Sequence, residues 1–257
     1  MKHFVWAALF ALSGALSGCT RPNVETAPAP LPPPIASAVA VTAPSVSPSP
    51  APIPSGPAPD SYLGRPIAKP MSYLGSEWLD RPDRADTEQP DKVIDALHLV
   101  PGNVVADVGA GTGYFSLRIA RKVGPGGKVI ATDIQPQMLK MLEANAKTAH
   151  VDNVTTVLCT ETDAKLPVAS VDLALMVDVY HELSRPAETL AQVRVALKPG
   201  GRLALVEYRG EDPSVPIKPE HKTTLPQLRL ELDRAGFALS EDLEFLKNQR
   251  VVIFVPK

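Results

Sequence analysis

A glycine-rich turn between a buried strand and a helix constrains the fold of this chain more than any other feature. The turn reads Asp107-Val108-Gly109-Ala110-Gly111-Thr112-Gly113, and it follows the apolar run Val104–Val108 and precedes the amphipathic stretch Tyr114–Val123. Glycine lets the backbone turn sharply and approach a ligand closely, and the first turn of a helix presents unpaired N–H groups. The pattern therefore predicts a ligand site on the main chain, at the carboxyl edge of a parallel sheet.

Strand and helix patterns alternate through the rest of the chain. The predicted strands are Val104–Val108, Lys128–Thr132, Val154–Leu158, Val171–Val177, Arg202–Glu207, Ser240–Leu246 and Arg250–Val255. The predicted helices are Gln89–Leu99, Tyr114–Val123, Pro136–His150, Pro186–Leu197 and Leu225–Ala235, the last with Thr224 as its N-cap. Such alternation forms βαβ units. It predicts an α/β fold, a doubly wound, mostly parallel seven-stranded sheet with a closing antiparallel strand pair, as one domain over residues 61–257.

The N-terminus has the features of an export signal. Lys2 and His3 precede the apolar run Phe4–Leu16, which has the length of a signal-peptide core and is too short for a stable membrane span. The run ends in Leu16-Ser17-Gly18-Cys19, which resembles the bacterial lipobox. We therefore expect residues 1–18 to be a lipoprotein signal peptide and Cys19 to carry the lipid, including palmitate, that anchors the protein to a membrane. An uncleaved signal anchor with a chance cysteine is the alternative.

Residues 19–60 form a predicted linker of Pro, Ala, Ser and Val, with about half of the 28 prolines of the chain. Proline removes backbone donors, so the segment should be extended, and at about 3.1 Å per residue it spans on the order of 100 Å. A proline-rich ligand for another domain is the alternative. Thr20 replaces the aspartate associated with inner-membrane retention, which favours the outer membrane of a Gram-negative cell envelope. Translation from Met71 would instead leave a cytoplasmic protein.

The overall composition excludes several classes of function. With 44% hydrophobic and 21% charged residues and a net charge of -2, the chain is an ordinary globular protein without a basic surface for nucleic acid. The two cysteines, Cys19 and Cys159, indicate neither a disulfide framework nor a metal site. No metal is predicted, and the oligomeric state stays open.

The spacing of the glycines separates two classes of cofactor. Dinucleotide-binding turns read G-x-G-x-x-G, whereas Tyr114 occupies the place of the last glycine here, which disfavours an NAD-dependent oxidoreductase. The pattern D-x-G-x-G-x-G followed by Tyr114-Phe115-Ser116 resembles motif I of the Rossmann-like class I S-adenosylmethionine-dependent methyltransferases. The resemblance covers about Asp91 to Tyr208. It implies that Asp107 binds the ammonium group of S-adenosyl-L-methionine, directly or through water, and that Gly109, Ala110, Gly111 and Gly113 lie against this cofactor.

The resemblance continues at the ends of later strands. It implies that Asp133 binds both ribose hydroxyls and that Ile134 packs on the adenine. Thr162-Asp163-Ala164 resembles the loop whose aspartate accepts a hydrogen bond from the adenine amino group, and Asp178 opens a segment that resembles a later motif. Taken singly, Asp133 is also consistent with a solvated strand end, and Asp163 with a turn-forming aspartate.

The residues after the fourth strand of the parallel set are the catalytic candidates. His181 is the candidate base because its unperturbed pKa lies near neutrality, and a packed or capping histidine is the alternative. Tyr180 is expected to line the path of the methyl group and Glu182 to pair with a positive acceptor. The segments Tyr73–Glu88 and Arg209–Thr223 are candidate lids. The predicted acceptor is a small molecule or a protein side chain, and a non-catalytic S-adenosylmethionine- or nucleoside-binding envelope lipoprotein is the rival function.

Overall fold

The computed structural model describes residues 58–257. The predicted signal peptide, Cys19 and nearly all of the predicted linker lie outside the described residues. Between residues 58 and 257, none of the helices has the length and apolar character needed to cross a membrane.

The described chain contains nine strands and six α-helices, joined by loops and three short 3-10 helices. In chain order they are β1 (Ser61–Tyr62), β2 (Arg65–Pro66), a 3-10 helix (Tyr73–Trp78), α1 (Arg84–Glu88), α2 (Pro90–Ala96), β3 (Val104–Val108), α3 (Tyr114–Val123), β4 (Lys128–Asp133), α4 (Pro136–Thr148), β5 (Val154–Leu158), β6 (Val171–Val177), a 3-10 helix (Tyr180–Glu182), α5 (Pro186–Ala196), β7 (Leu197–Tyr208), a 3-10 helix (Pro219–His221), α6 (Leu225–Arg234), β8 (Phe237–Leu243) and β9 (Gln249–Pro256).

Seven of these strands form one sheet in the order β5-β4-β3-β6-β7-β9-β8. The strands from β5 to β7 are parallel, while β9 pairs antiparallel with both β7 and β8. The predicted doubly wound, seven-stranded sheet with a closing antiparallel pair is therefore confirmed. The chain order reverses at β3, which lies between β4 and β6, and a ligand crevice is expected outside the carboxyl ends of the strands at such a point.

The sheet has an apolar core on each face. Consecutive residues of β3 point to opposite faces: Val105 packs in a cluster with Ile119 of α3, and Ala106 in a second cluster with Val193 of α5 and Leu228 of α6. Helices on both faces bury the central strands completely. This explains why β3 and β6 are almost continuous apolar runs in the sequence.

The main differences from the predicted elements lie at backbone turns. The predicted helix Gln89–Leu99 is two helices, α1 and α2, because Gln89 is in the left-handed region at φ 44° ahead of Pro90. Strand β7 begins at Leu197 rather than Arg202, because Leu197 pairs with Val171. The predicted N-cap is confirmed: the Thr224 hydroxyl accepts a hydrogen bond from the backbone N–H of Gln227.

Candidate active site

A cavity of about 570 Å³ lies outside the carboxyl ends of the parallel strands. Its wall contains Gly109 after β3, Asp133 at the end of β4, Asp178 after β6 and Tyr208 at the end of β7. Neighbouring strands are about 4.8 Å apart, so a cavity that reaches from β4 to β7 spans roughly 14 Å along the sheet edge. The turn that the sequence marked as a ligand site is part of this wall.

The glycine turn is held against the end of β4. The backbone N–H groups of Gly109 and Ala110 both donate to the carbonyl oxygen of Thr132, at 2.8 and 2.9 Å. Gly109 has φ 74°, and a Cβ atom there would lie 2.6 Å from the side chain of Val179. Gly109 and Gly111 line the cavity, whereas Ala110 and Gly113 do not. A Cβ atom at Gly113 would lie 2.7 Å from the side chain of Leu142, so this glycine allows α4 to pack closely against the turn.

Asp133 is held in place by main-chain donors. Its Oδ2 atom accepts from the N–H of Gly111 at 3.0 Å, and its Oδ1 atom accepts from the N–H of Gln135 at 2.8 Å. Burial raises the pKa of this carboxyl, and the backbone hydrogen bonds oppose that shift. The next residue, Ile134, also lines the cavity and keeps 40% of its surface exposed. An acidic group beside an exposed apolar side chain thus forms one part of the wall.

Two of the aspartates predicted to bind the cofactor, Asp107 and Asp163, do not border the cavity. Asp107 is buried behind the turn, where its carboxylate accepts from the Ser116 hydroxyl at 2.5 Å, and burial raises its pKa to about 6. Asp163 pairs with the Lys165 ammonium group at 2.6 Å, and hydrogen bonding to Lys165 lowers the pKa of that carboxyl. Direct contact of Asp163 with a ligand is therefore not supported.

Neighbours of Asp163 in the same loop form this part of the wall. Thr160, Glu161 and Ala164 line the cavity, whereas Thr162 does not. Cys159 also lines it, and burial raises the pKa of its thiol to about 11, so this cysteine is a poor nucleophile.

Asp178 lies in the cavity wall with an unusual backbone conformation. It has φ 53°, and Nε2 of Gln249 donates to both carboxylate oxygens at 3.0 and 2.8 Å. Burial raises the pKa of Asp178 to about 8, and the nearby carboxylates of Glu88 and Glu207 add to the shift. A cationic ligand group next to Asp178 would offset this penalty.

His181, Glu182 and His221, which we call the histidine cluster, line the same cavity. His181 follows β6, is 2% exposed, and its Nδ1 atom lies 2.6 Å from Oε2 of Glu207. Its Nε2 atom lies 3.1 Å from Nδ1 of His221. Oε1 of Glu182 is 3.6 Å from that His221 nitrogen and 3.9 Å from Nε2 of His181. One atom from each of the two imidazoles and the carboxylate therefore lies within 4 Å of the other two.

The charges of the cluster depend on Glu207. Burial by itself lowers the pKa of His181, but attraction and hydrogen bonding to Glu207 outweigh it, and the net pKa is raised. Burial also raises the pKa of Glu182, to about 7. The pKa of His221 is lowered by burial and by repulsion from His181. Since Glu207 is an acceptor, Nδ1 of His181 is assigned as the protonated nitrogen in the neutral ring.

The prediction that Tyr180 lines the methyl path is wrong. Tyr180 is fully buried, and its hydroxyl donates to Oε2 of Glu231 at 2.6 Å. The same carboxylate receives the Arg65 guanidinium, at 2.8 and 2.9 Å. The short 3-10 helix directs Tyr180 into the protein and His181 to the cavity. Glu231 of α6 thus holds both β2 and the 3-10 helix, and Tyr180 does not line the cavity.

Both predicted lid segments border the cavity. From Tyr73–Glu88, the lining residues are Trp78, Leu79, Arg81, Arg84 and Glu88, and from Arg209–Thr223 they are Pro216, Ile217, Lys218 and His221. Within the first segment, Glu88 accepts from Arg81 at 2.7 Å and from Arg84 at 2.8 Å, which holds the segment together internally. The fold therefore closes the cavity with residues from outside the parallel strands.

Glu207 belongs to the site but was not predicted from the sequence. This residue is fully buried in β7, where it accepts from Nδ1 of His181 and from the backbone N–H of Tyr180. The sequence does contain an indication of this role, because Glu207 is the single charged residue of the apolar run Leu203–Tyr208. A buried charge in a central strand needs a partner, and here the partner is the candidate base.

The sheet order, the glycine turn and the acidic end of β4 define a class I methyltransferase fold. Residues 99–240 match the methyltransferase domain family, so the chain belongs to that family. A solved SAM-dependent methyltransferase from Aquifex aeolicus is 28% identical with a TM-score of 0.69, over 72% of this chain and 98% of that chain.

Two curated relatives match over shorter stretches. An arsenite methyltransferase of Halobacterium salinarum is 30% identical over 155 residues, which are 56% of this chain and 39% of that protein. A ubiquinone/menaquinone biosynthesis C-methyltransferase of Ralstonia pickettii is 31% identical over 113 residues, which are 42% of this chain and 44% of that protein. The chain thus spans less than half the length of both relatives.

Proposed function

We propose that this protein is an S-adenosylmethionine-dependent methyltransferase that acts on a small nucleophilic acceptor. The observation that carries the proposal is the joint presence, in one cavity, of the glycine turn with Asp133 and of the histidine cluster. The first group suits a nucleoside-type methyl donor, and the second suits an acceptor that must lose a proton. The volume of the cavity, about 570 Å³, lies in the range of small-molecule sites, which favours a small molecule over a protein side chain.

The glycine turn and Asp133 form the part of the cavity that we assign to the methyl donor, and their residues fit S-adenosylmethionine. Gly109 and Gly111 present main chain to the cavity, and the absence of a Cβ atom lets Val179 and Leu79 pack against this turn, since a Cβ atom at either position would lie under 3 Å from one of these side chains. Asp133 is oriented to hold ribose hydroxyls, and Ile134 offers an apolar surface for the adenine. When bound, the cofactor supplies an electrophilic methyl group on a positively charged sulfur. Asp178 and Glu182 lie in the same cavity, and a bound cation would favour the ionised form of these two buried carboxyls and be stabilised by it.

The histidine cluster forms the part of the cavity that we assign to the methyl acceptor, and its residues suit removal of a proton from that acceptor. Nδ1 of His181 is engaged by Glu207, so Nε2 would take the proton of an acceptor that replaces His221 as its partner. Glu207 stabilises the imidazolium that results, and the near-complete burial of both side chains strengthens this attraction. His181 remains the candidate base that the sequence indicated, and Glu207 is its positioning residue.

Binding and turnover experiments test the proposal. Calorimetric titrations of S-adenosylmethionine, its demethylated product and NAD into the purified protein compare the three ligand classes. We expect the first two to bind and NAD not to bind. We then expect His181→Ala to keep cofactor binding and to lose turnover in an acceptor screen that measures the demethylated product. Binding of NAD instead would contradict the proposal, and cofactor binding without turnover on any acceptor would favour the non-catalytic alternative.

We further propose that the domain is held at the cell envelope by a lipid on Cys19. The ordered Lys2, Phe4–Leu16 and Leu16–Cys19 pattern supports this proposal. A start at Met71 would remove Arg65, and Glu231 would then be buried without its cation. Metabolic labelling with a fatty acid should tag the wild-type protein and not Cys19→Ala. Equal labelling of both proteins, or of neither, would contradict the anchor.

A further inference from the structure

We propose that the histidine cluster is a binding site for one divalent transition-metal ion of the zinc type. The ligand atoms are Nε2 of His181, Nδ1 of His221 and a carboxylate oxygen of Glu182. The site is inferred from the described side chains alone, while its part in methyl transfer rests on the function proposed above.

The distances within the cluster agree with tetrahedral coordination. The three ligand atoms are separated by 3.1, 3.6 and 3.9 Å. Ligands at 2.0–2.1 Å from a tetrahedral zinc ion are separated by about 3.3–3.4 Å. The observed distances lie on both sides of this value, so shifts of about half an ångström would complete the site.

The donor set selects the class of metal. Two imidazole nitrogens with one carboxylate oxygen suit zinc and neighbouring transition metals, whereas calcium and magnesium prefer oxygen ligands alone. Three protein ligands leave a fourth coordination position, which is typical of catalytic rather than structural zinc sites. Because all three residues line the cavity, that position faces the space where an acceptor would bind.

Glu207 provides the second observation that favours a metal. Histidine ligands of metals commonly donate their other N–H group to a carboxylate, which fixes the ring and raises its basicity. Glu207 has this relationship to His181, with 2.6 Å between Oε2 and Nδ1. Its other oxygen accepts from the N–H of Tyr180 at 2.9 Å, so the carboxylate cannot easily turn away. Nε2 of His181 is thereby directed toward His221 and Glu182.

The metal site narrows the class of acceptor. With the ion bound, Nε2 of His181 is a ligand and no longer a proton acceptor. A hydroxyl or thiol group that takes the fourth position has a lowered pKa and releases its proton to solvent. We infer that the acceptor is a small molecule with such a metal-binding oxygen or sulfur atom.

Metal binding by the purified full-length protein, stripped of metal and carrying no histidine tag, tests the site. Calorimetric titration with Zn²⁺ should give one site per chain, and Mg²⁺ should give none. His221→Ala and Glu182→Gln should each weaken Zn²⁺ binding at least tenfold. His150→Asn is the matched control, because His150 is an exposed histidine outside the cavity, and it should bind as the wild type does. Thermal unfolding of each variant establishes that it is folded.

The outcomes separate this site from the proposed function. Asp133→Ala should lose S-adenosylmethionine binding and keep Zn²⁺ binding. Absence of stoichiometric Zn²⁺ binding in the wild type, or wild-type affinity in both His221→Ala and Glu182→Gln, would overturn the metal site. Zn²⁺ binding without any cofactor binding would instead overturn the methyltransferase proposal and leave the metal site standing.

Discussion

Oε2 of Glu207 lies 2.6 Å from Nδ1 of His181, and this contact joins the last parallel strand to the turn after β6. Both side chains are almost completely buried. Such a carboxylate costs free energy to bury, and the cost is offset only while the imidazole stays beside it. The pair therefore fixes the one side chain on which both the proton-acceptor role and the metal site depend.

Replacing this carboxylate should act on the histidine cluster alone. We expect Glu207→Gln to weaken Zn²⁺ binding about 10- to 100-fold, because it removes the partner that orients a ligand histidine. Binding of S-adenosylmethionine should be unchanged. Calorimetric titration of both ligands measures the two effects. Glu143→Gln, an exposed glutamate on α4, is the control, and equal Zn²⁺ affinity in the two variants would contradict the role of Glu207.

The glycine turn should not tolerate a side chain at its first glycine. Gly109→Ala puts a non-glycine residue at φ 74° and a Cβ atom 2.6 Å from Val179. A left-handed conformation costs about 1–2 kcal/mol for such a residue, and we expect a lower Tm together with lost cofactor binding. Gly126→Ala is a matched control, since its Cβ atom would contact nothing within 4 Å. Cofactor binding by Gly109→Ala at wild-type affinity would contradict this account of the turn.

Tyr180→Phe should separate stability from activity. The change removes a hydrogen bond to a buried carboxylate, Glu231, and we expect it to lower the free energy of unfolding by about 2 kcal/mol. Turnover should not change, because the ring does not reach the cavity. Denaturant unfolding measures the free energy of unfolding, and steady-state kinetics measures turnover. A fall in turnover with no change in the free energy of unfolding would indicate that Tyr180 does line the path of the methyl group.

Asp107 should make the stability of the protein depend on pH. Burial raises its pKa from 3.8 to about 6, so the folded protein binds a proton more tightly than the unfolded chain does. Asp107 therefore makes its full contribution to stability below about pH 4, and this contribution is lost as the pH rises to about 6. The free energy of unfolding falls by about 3 kcal/mol over this range. Asp107→Asn should lack this loss. Urea unfolding between pH 4 and 7 measures it, and parallel curves for both proteins would refute the assignment.

Most of the fold was predictable from the sequence because the signals are local. The apolar run Val104–Val108 and the prolines that begin α4 and α5 reflect burial and backbone restriction over a few residues. The break at Gln89 was missed, because a left-handed residue inside an amphipathic pattern leaves no periodic signal. Strand β7 was predicted too short, because its first pairing, Leu197 with Val171, depends on a distant segment.

The site was predictable only where one turn or strand end defines it. Gly109, Asp133 and His181 line the cavity and follow single strands, so their positions could be read in order along the chain. His221 reaches His181 from 40 residues away, and nothing in the local sequence reveals that approach. Tyr180 was misplaced because neighbouring residues of a 3-10 turn face different directions, which spacing alone does not resolve.

We expect this cavity to bind S-adenosylmethionine through Asp133. Calorimetric titration of the cofactor into the wild-type protein and into Asp133→Ala tests it most directly, with thermal unfolding to show that both proteins are folded. We predict saturable binding at one site per chain in the wild type and at least a hundredfold loss in the variant. A folded wild-type protein that binds no S-adenosylmethionine, or a variant that binds it equally well, would contradict the account.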